Sequence, residues 1–437
     1  MTTYHFIGLG GSGQNVVARL LAARGETVQG SDNDPASHLH GLADEGITVH
    51  IGHAAENVPD DAVVVISTAI SEANPELAIA RKRGQRVIHR SEALALAAQG
   101  MEFVSVAGSH GKTSTTGMIA YGLATVGLDP SYAIGGELSG TGTGAHLGKG
   151  NVFVAEADES DGSFLNYDTR IGVITNIERD HPQKYKTDEQ FEEIFHEFAA
   201  QIRPEGLLVV CGDDEGARRV AQKAPVRTVQ YGRTVAPEGL NIHVGEGEFS
   251  GDGWTVALRP TTPGSHHELN SAAAIAVARE LGVAPAEMAA ALASYPGTGR
   301  RFEVRGVKSG VTVVDDYGHH PTEVAATIAT AREIAEGRVL VLFQPALFTR
   351  TIEFAAEFAA ALDTADEAIV CDIYGSREAP MGFTSEIITE KMAAGEYIPD
   401  RFDAARELAS RARPGDYLIT LGSGSVTEMV PVVLDTL

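Results

Sequence analysis

The sequence predicts an α/β protein of three lobes built on mainly parallel sheets, and three observations carry that expectation. Short Val- and Ile-rich runs alternate with Ala-rich helical stretches over nearly all of the 437 residues. The runs are apolar almost without interruption, as in strands covered by helices on both faces. The length also suits about three domains at roughly 150 residues each.

Strands are expected at 4–8, 63–67, 103–107, 152–155, 172–176 and 207–210, with helices at 14–24, 112–126 and 188–202. The first series closes near 97–100, before a new strand opens at Phe103. Pro296, Gly297 and Gly299 break the pattern again, after a helix at 284–293. Strands at 311–315, 339–343, 368–371 and 417–421 then alternate with helices. These breaks set domains at 1–99, 100–297 and 298–437. Residues 237–262 read differently, Gly-rich with short alternating runs around Trp254, as a small β appendage.

Composition narrows the function. Lys plus Arg number 34 against 59 Asp plus Glu, a net charge of −25 that argues against broad contact with nucleic acid or anionic membrane. Cys211 and Cys371 are the two cysteines, too few and too far apart for a disulfide scaffold or a metal knot. The opening MTTYHFIGLGGSG is no signal peptide, and no apolar run approaches the ~18 residues of a membrane span. A cytoplasmic location is expected.

Two loops carry the chemistry. Gly8-Leu9-Gly10-Gly11-Ser12-Gly13 fits G-x-G-x-x-G between a strand and a helix, where glycines let backbone N–H groups approach a pyrophosphate. Asp32 follows at the distance from which an acid reaches a ribose hydroxyl. That motif leaves NAD, FAD and a UDP-sugar open. The second loop, Gly108-Ser109-His110-Gly111-Lys112-Thr113, joins a strand to a helix as a shortened phosphate loop. Its N–H groups cradle phosphates, Lys112 neutralises the β/γ oxygens and the Thr113 hydroxyl can hold Mg²⁺, which reads as an ATP site. Acidic clusters at 156–161 and 178–181 end strands expected beside this loop and offer the carboxylates a metal needs.

Further clusters fall at later strand ends, where ligands of open α/β sheets bind. Asn270 offers the paired donor and acceptor that complement adenine. Arg300 and Arg301 stand at the second break, and Asp315, Asp316, Tyr317, His319 and His320 crowd one strand end. Arg350 follows the strand at 339–343.

In order and spacing these segments resemble the Mur ligase family from end to end, most closely its alanine-adding branch. The carriers are the two loops above, Gly30-Ser31-Asp32, Ser67-Thr68-Ala69-Ile70, Glu156-Ala157-Asp158-Glu159-Ser160-Asp161, Asp180-His181, Arg301-Phe302-Glu303, Asp315-Asp316-Tyr317-Gly318-His319-His320-Pro321 and Asp372-Ile373-Tyr374. The resemblance implies a Rossmann-like N-terminal domain, a central P-loop ATPase domain and a Rossmann-like C-terminal domain. It implies an ATP-dependent ligase of peptidoglycan precursor synthesis, with UDP-N-acetylmuramate and L-alanine as substrates and Mg²⁺ as cofactor. The alternative is a related ligase that adds another amino acid or a recycled peptide.

By position, Gly10, Gly11, Ser12, Gly13, Asp32, His53 and Ser67 would bind the UDP-sugar. Gly108, Ser109, His110, Gly111, Lys112, Thr113 and Ser114 would hold ATP, with Asn270, Arg301, Asp316 and Tyr317. Thr113, Glu156 and His181 would form the metal site. Lys112, Arg301, His319 and Arg350 would be catalytic, His319 as base or as an orienting group. The chain departs from the family pattern at His267, where Asn is usual, and at Ala346 and Leu347, where His and Arg are common. The helix at 188–202 has no lysine, so the carbamylated lysine of some sister ligases is not expected.

Overall fold

Three sheets order the chain. A computed structural model describes residues 1–34, 39, 41–182, 184–376 and 378–437. The first sheet is five-stranded and wholly parallel, in the spatial order Thr48–Ile51, Thr27–Asp32, Thr3–Ile7, Val63–Ile66, Val87–His89. Successive strands are added outward on one side of Thr3–Ile7 and then on the other, and the crevice outside such a switch point is where open sheets bind ligands. The glycine turn follows that strand directly.

The second sheet has ten strands, with Glu102–Ala107 between Thr169–Ile174 and Val152–Glu156. Both acidic clusters therefore follow strands that flank the phosphate-loop strand. Leu207–Cys211 lies next outward and is buried along its whole length, as an interior parallel strand must be. The stretch around Trp254 is not a separate appendage. Ile242–Val244 pairs parallel with Arg227–Gly232, and Glu248–Gly251 and Trp254–Ala257 extend the same sheet by antiparallel hairpins. Local alternation identified the strands, but the sheet they join is a long-range choice.

The third sheet runs Glu303–Lys308, Val311–Asp316, Tyr417–Leu421, Val339–Phe343, Glu367–Val370, Glu396–Tyr397, antiparallel only at its first pair.

Helices cover these sheets through apolar stripes. In Asp188–Ala200, Phe191, Ile194, Phe195 and Phe198 recur at helical spacing and are buried. Phe164 stacks on Phe198 with ring centroids 5.0 Å apart. The Ala-rich helix begins at Ser265, so Asn270 lies inside its second turn rather than ahead of it.

The chain divides into two compact units. The first comprises Met1–Glu178, Glu189–Arg259 and Leu269–Pro296 and carries the first two sheets. The second comprises Arg179–Asp188, Pro260–Glu268 and Gly297–Leu437 and carries the third. Asp180 and His181 thus group with the C-terminal residues. Among the described residues, no helix is long and apolar enough to cross a membrane.

Candidate active site

In the first unit, the phosphate loop is held by its neighbouring strand end. The N–H of Ser109 donates to the Asn176 carbonyl at 3.1 Å, and that of His110 to the Asn176 side chain at 2.9 Å. Thr175 Oγ1 donates to the His110 carbonyl at 2.6 Å, and Ser109 Oγ to the Glu178 carbonyl at 2.6 Å. Two of the loop's N–H groups therefore shape the loop instead of facing a phosphate. What remains for an anion is the start of helix Lys112–Thr125, whose first N–H groups lack intrahelical acceptors.

Gly108 has φ +130°, and a Cβ there would sit 2.0 Å from Thr175 Oγ1. Gly111, at φ +80°, caps the helix, and a Cβ on it would lie 3.0 Å from Asn270 Oδ1. Asn270 is thus placed against the phosphate loop itself. Its buried amide nitrogen has no hydrogen-bond partner among the described residues, an orphaned donor that suits an acceptor-rich ligand.

Lys112 Nζ reaches the Gly108 and Ser109 carbonyls at 2.5 and 3.1 Å and Glu159 at 3.0 Å. Burial pulls its pKa down, but the carboxylates of Glu159, Glu156 and Asp158 outweigh it and the net shift is upward. Lys112 is a part-buried, charged cation. Thr113 Oγ1 donates to Glu156 at 3.0 Å, and Glu156 also accepts the Gly135 N–H at 2.9 Å. A hydroxyl at a helix start and a carboxylate at a strand end are hard oxygen donors of the kind Mg²⁺ takes. His181, the third expected ligand, lies in the second unit with φ +56°, its N–H 2.6 Å from Asp180 Oδ1.

The glycine turn shows a similar economy. Gly8 and Leu9 donate to the Ser31 carbonyl, Gly11 to the Gly8 carbonyl, and Gly10 to Asp32 Oδ2 at 2.8 Å. The N–H groups of Gly10 and Gly11, expected to meet a pyrophosphate, are already used, and Asp32 braces the turn. At the start of helix Ser12–Ala23 the first N–H groups, those of Ser12 and Gly13 among them, lack intrahelical acceptors, which is what an anion needs. Ser67 follows strand Val63–Ile66, and Ile70 Cδ1 lies 3.2 Å from where a Cβ on Gly8 would be.

Arg90 is the residue that motif reading missed. Its Nη1 lies 3.3 Å from the Cβ position of Gly13, and its Nη2 pairs with Asp158 at 2.7 Å. Burial would raise the Asp158 pKa, but Arg90 and the Ser160 hydrogen bonds lower it to about 2. One guanidinium thus joins the glycine turn of the first sheet to the acidic strand end of the second. Its only sequence signal was a basic residue starting a helix.

In the second unit, Arg350 is 3% exposed and forms a bidentate pair with Asp180, Nη2 lying 2.9 and 3.0 Å from the two oxygens. Despite burial, Arg350, His181 and His319 hold the Asp180 carboxyl far below the usual range. His319 donates from Nδ1 to the Tyr317 carbonyl at 3.2 Å, which leaves Nε2 as its acceptor. Burial lowers its pKa to about 4, so the ring is neutral at pH 7.

Arg300 serves the fold, binding Asp315 at 3.1 Å and the Gly422 carbonyl at 2.5 Å. Arg301 lies over the Tyr317 ring, 5.0 Å from its centroid. Asp316 was expected to contact nucleotide, but it is 7% exposed and both oxygens accept backbone N–H groups, from Phe302 and Gly318, each at 2.7 Å. It braces the turn that carries Arg301. Ala346 bridges to Tyr374, and Leu347, at φ +69°, donates to the Tyr374 carbonyl at 3.0 Å. The departing segment and the Asp372-Ile373-Tyr374 motif are therefore neighbours.

Comparisons with known proteins agree with this architecture. The Mur ligase family catalytic domain matches residues 3–101, the Mur ligase middle domain 106–278, and the Mur ligase glutamate ligase domain 300–424. The chain is 50% identical over 445 residues to a UDP-N-acetylmuramate–L-alanine ligase of Renibacterium salmoninarum, covering 99% of this chain and 95% of that one. It is 44% identical to the ligase of that name from Streptomyces avermitilis, covering 99% and 97%. The crystal structure of a UDP-N-acetylmuramate-alanine ligase from Thermotoga maritima shares the fold, with a TM-score of 0.81 and 24% identity over 100% of this chain and 99% of that one. A murein peptide ligase from Psychrobacter arcticus has a TM-score of 0.74 at 22% identity over 100% and 98%. The chain belongs to the Mur ligase family.

Proposed function

We propose that this protein joins L-alanine to the lactyl carboxylate of UDP-N-acetylmuramate with hydrolysis of ATP, a step of peptidoglycan precursor synthesis carried out in the cytoplasm. The observation that carries the reading is the pairing of two anion-binding turns in one compact unit, linked through Arg90. The names of relatives at 44 to 50% identity over nearly the whole chain support the same substrates.

A carboxylate resists an amine because its charge repels the nucleophile and its oxygen leaves poorly. Transfer of the γ-phosphoryl group to the lactyl carboxylate yields an acyl phosphate and ADP. The amine nitrogen of L-alanine then attacks the acyl carbon, the C–N bond forms, the C–O bond to phosphate breaks and inorganic phosphate leaves. Lys112 exchanges its resting carbonyl contacts for phosphate oxygens while Glu159 keeps it charged. Thr113 and Glu156 would hold Mg²⁺, whose charge would neutralise phosphate oxygens there. Asn270 offers its orphaned amide to the nucleotide. Arg301, stacked on Tyr317, meets the transferring phosphate. His319 presents a neutral Nε2 that accepts a hydrogen bond from the amino group of L-alanine and orients it, and Asp180 sets the plane of Arg350 for the amino-acid carboxylate. The three lobes divide at 1–99, 100–297 and 298–437.

The test supplies ATP, Mg²⁺ and UDP-N-acetylmuramate with L-alanine, glycine, L-serine or a tripeptide, and follows phosphate release and product mass. The expected result is UDP-N-acetylmuramoyl-L-alanine as the dominant product. A product formed only with the tripeptide would shift the assignment to peptide recycling. Lys112→Ala should lower turnover by about 10²–10³-fold, the scale for removing one charge-stabilising group.

A further inference from the structure

A polar network centred on the buried residues His5, Ser31 and Glu76 lies in the first sheet, beside the glycine turn. Glu76, in the first turn of helix Pro75–Arg83, is 0% exposed, yet its carboxylate is fully engaged. One oxygen accepts from Ala54 N–H at 3.2 Å and Asn57 Nδ2 at 2.8 Å. The other accepts from Ser31 Oγ at 2.5 Å and His5 Nε2 at 3.2 Å. Burial would raise its pKa, but the hydrogen bonds from His5, Ser31 and Asn57 bring it down to about 2, so Glu76 is ionised.

An ionised carboxylate only accepts, so the single Ser31 hydroxyl proton points at Glu76. Ser31 Oγ must then accept from its remaining neighbour, His53 Nδ1, at 2.8 Å. The same logic applies on the other side: the Gln29 amide donates to His5 Nδ1 at 2.9 Å, leaving His5 Nε2–H to face Glu76. Among the described residues, His53 Nε2 has no hydrogen-bond partner, and its side chain is 14% exposed. Ser31 is also the residue whose carbonyl holds the Gly8 and Leu9 N–H groups.

From this geometry we infer that Glu76, acting through Ser31, is a positioning residue that locks His53 in its Nδ1–H form and so presents Nε2 as a hydrogen-bond acceptor to a hydroxyl or imide N–H of the sugar nucleotide. The inference rests on the first lobe binding UDP-N-acetylmuramate.

Histidine ¹⁵N spectra of the ligand-free enzyme at about pH 8 test it, with His53 assigned by its loss in His53→Gln. The expected wild-type signature is a protonated Nδ1 and a bare Nε2. Glu76→Gln should mix the two tautomers, because an amide offers Ser31 either an oxygen or an N–H. The KM for UDP-N-acetylmuramate should rise about tenfold, with kcat and the KM for ATP within about twofold. Ser31→Ala removes the relay hydroxyl, leaving His53 Nδ1 only its 3.5 Å approach to the Glu76 carboxylate, and should reproduce both effects in weaker form if the glutamine variant does not fold. A wild-type His53 protonated on Nε2, or a folded variant with unchanged KM, would overturn the inference. Absence of any wild-type turnover of UDP-N-acetylmuramate would instead overturn the assigned reaction, since the tautomer is read without ligand.

Discussion

Asp180 and Asp316 are both buried carboxylates, but their environments drive them in opposite directions. Asp316 faces two N–H groups and the Arg301 charge, yet burial dominates and raises its pKa to about 6. The folded state therefore binds more protons than the unfolded chain between about pH 4 and 6, and stability falls as pH rises through that window. In Asp316→Asn this slope should vanish from urea-unfolding midpoints measured across the window. Asp180, held low by Arg350, contributes stability that is fully present above about pH 4 and is lost as pH falls toward its depressed value. Asp180→Asn leaves Arg350 buried without its counter-charge, which costs about 3–5 kcal/mol. Thermal unfolding at pH 7 should show a lower Tm, and the acid-side loss of stability should shrink. Neither environment was legible in the sequence: a row of polar residues at a strand end does not reveal which oxygens will meet N–H groups and which a guanidinium.

At the scale of the element, strand–loop–helix units were readable because their causes are local. An apolar strand, a run of glycines and an Ala-rich helix each act within a few residues. What the pattern did not disclose is which N–H groups the loop leaves open, because those of Ser109, His110 and Gly10 are taken by residues distant in sequence. The phosphate loop makes the dependence testable. Gly108→Ala drives a Cβ into Thr175 at a φ that L-residues avoid, whereas Gly127, at φ +89°, has nothing within 4 Å of its Cβ position. Gly108→Ala should abolish detectable ATP binding by calorimetry with the far-UV circular dichroism intact. Gly127→Ala should bind ATP normally and lose only about 1 kcal/mol of stability.

At the scale of the whole molecule, the glycine turn and the phosphate loop belong to one compact unit, tied by Arg90 and Asp158 across 68 residues of chain. Arg90→Ala should weaken UDP-N-acetylmuramate and ATP together and reduce the cooperativity between them, read as the change in one ligand's Kd when the other is saturating. Retention of that coupling would place the link elsewhere. By itself the sequence determined the α/β class, the positions of both loops and the kinship with Mur ligases, since periodicity, turn chemistry and ordered motifs are written along the chain. Tertiary structure decided the partners: Asp180 with Arg350 at a separation of 170 residues, Glu76 with His5 at 71, and the sheet that the Trp254 hairpin joins. Such choices follow from how strands and helices pack, and burial then converts each close approach into a fixed charge state or hydrogen-bond direction that no local pattern encodes.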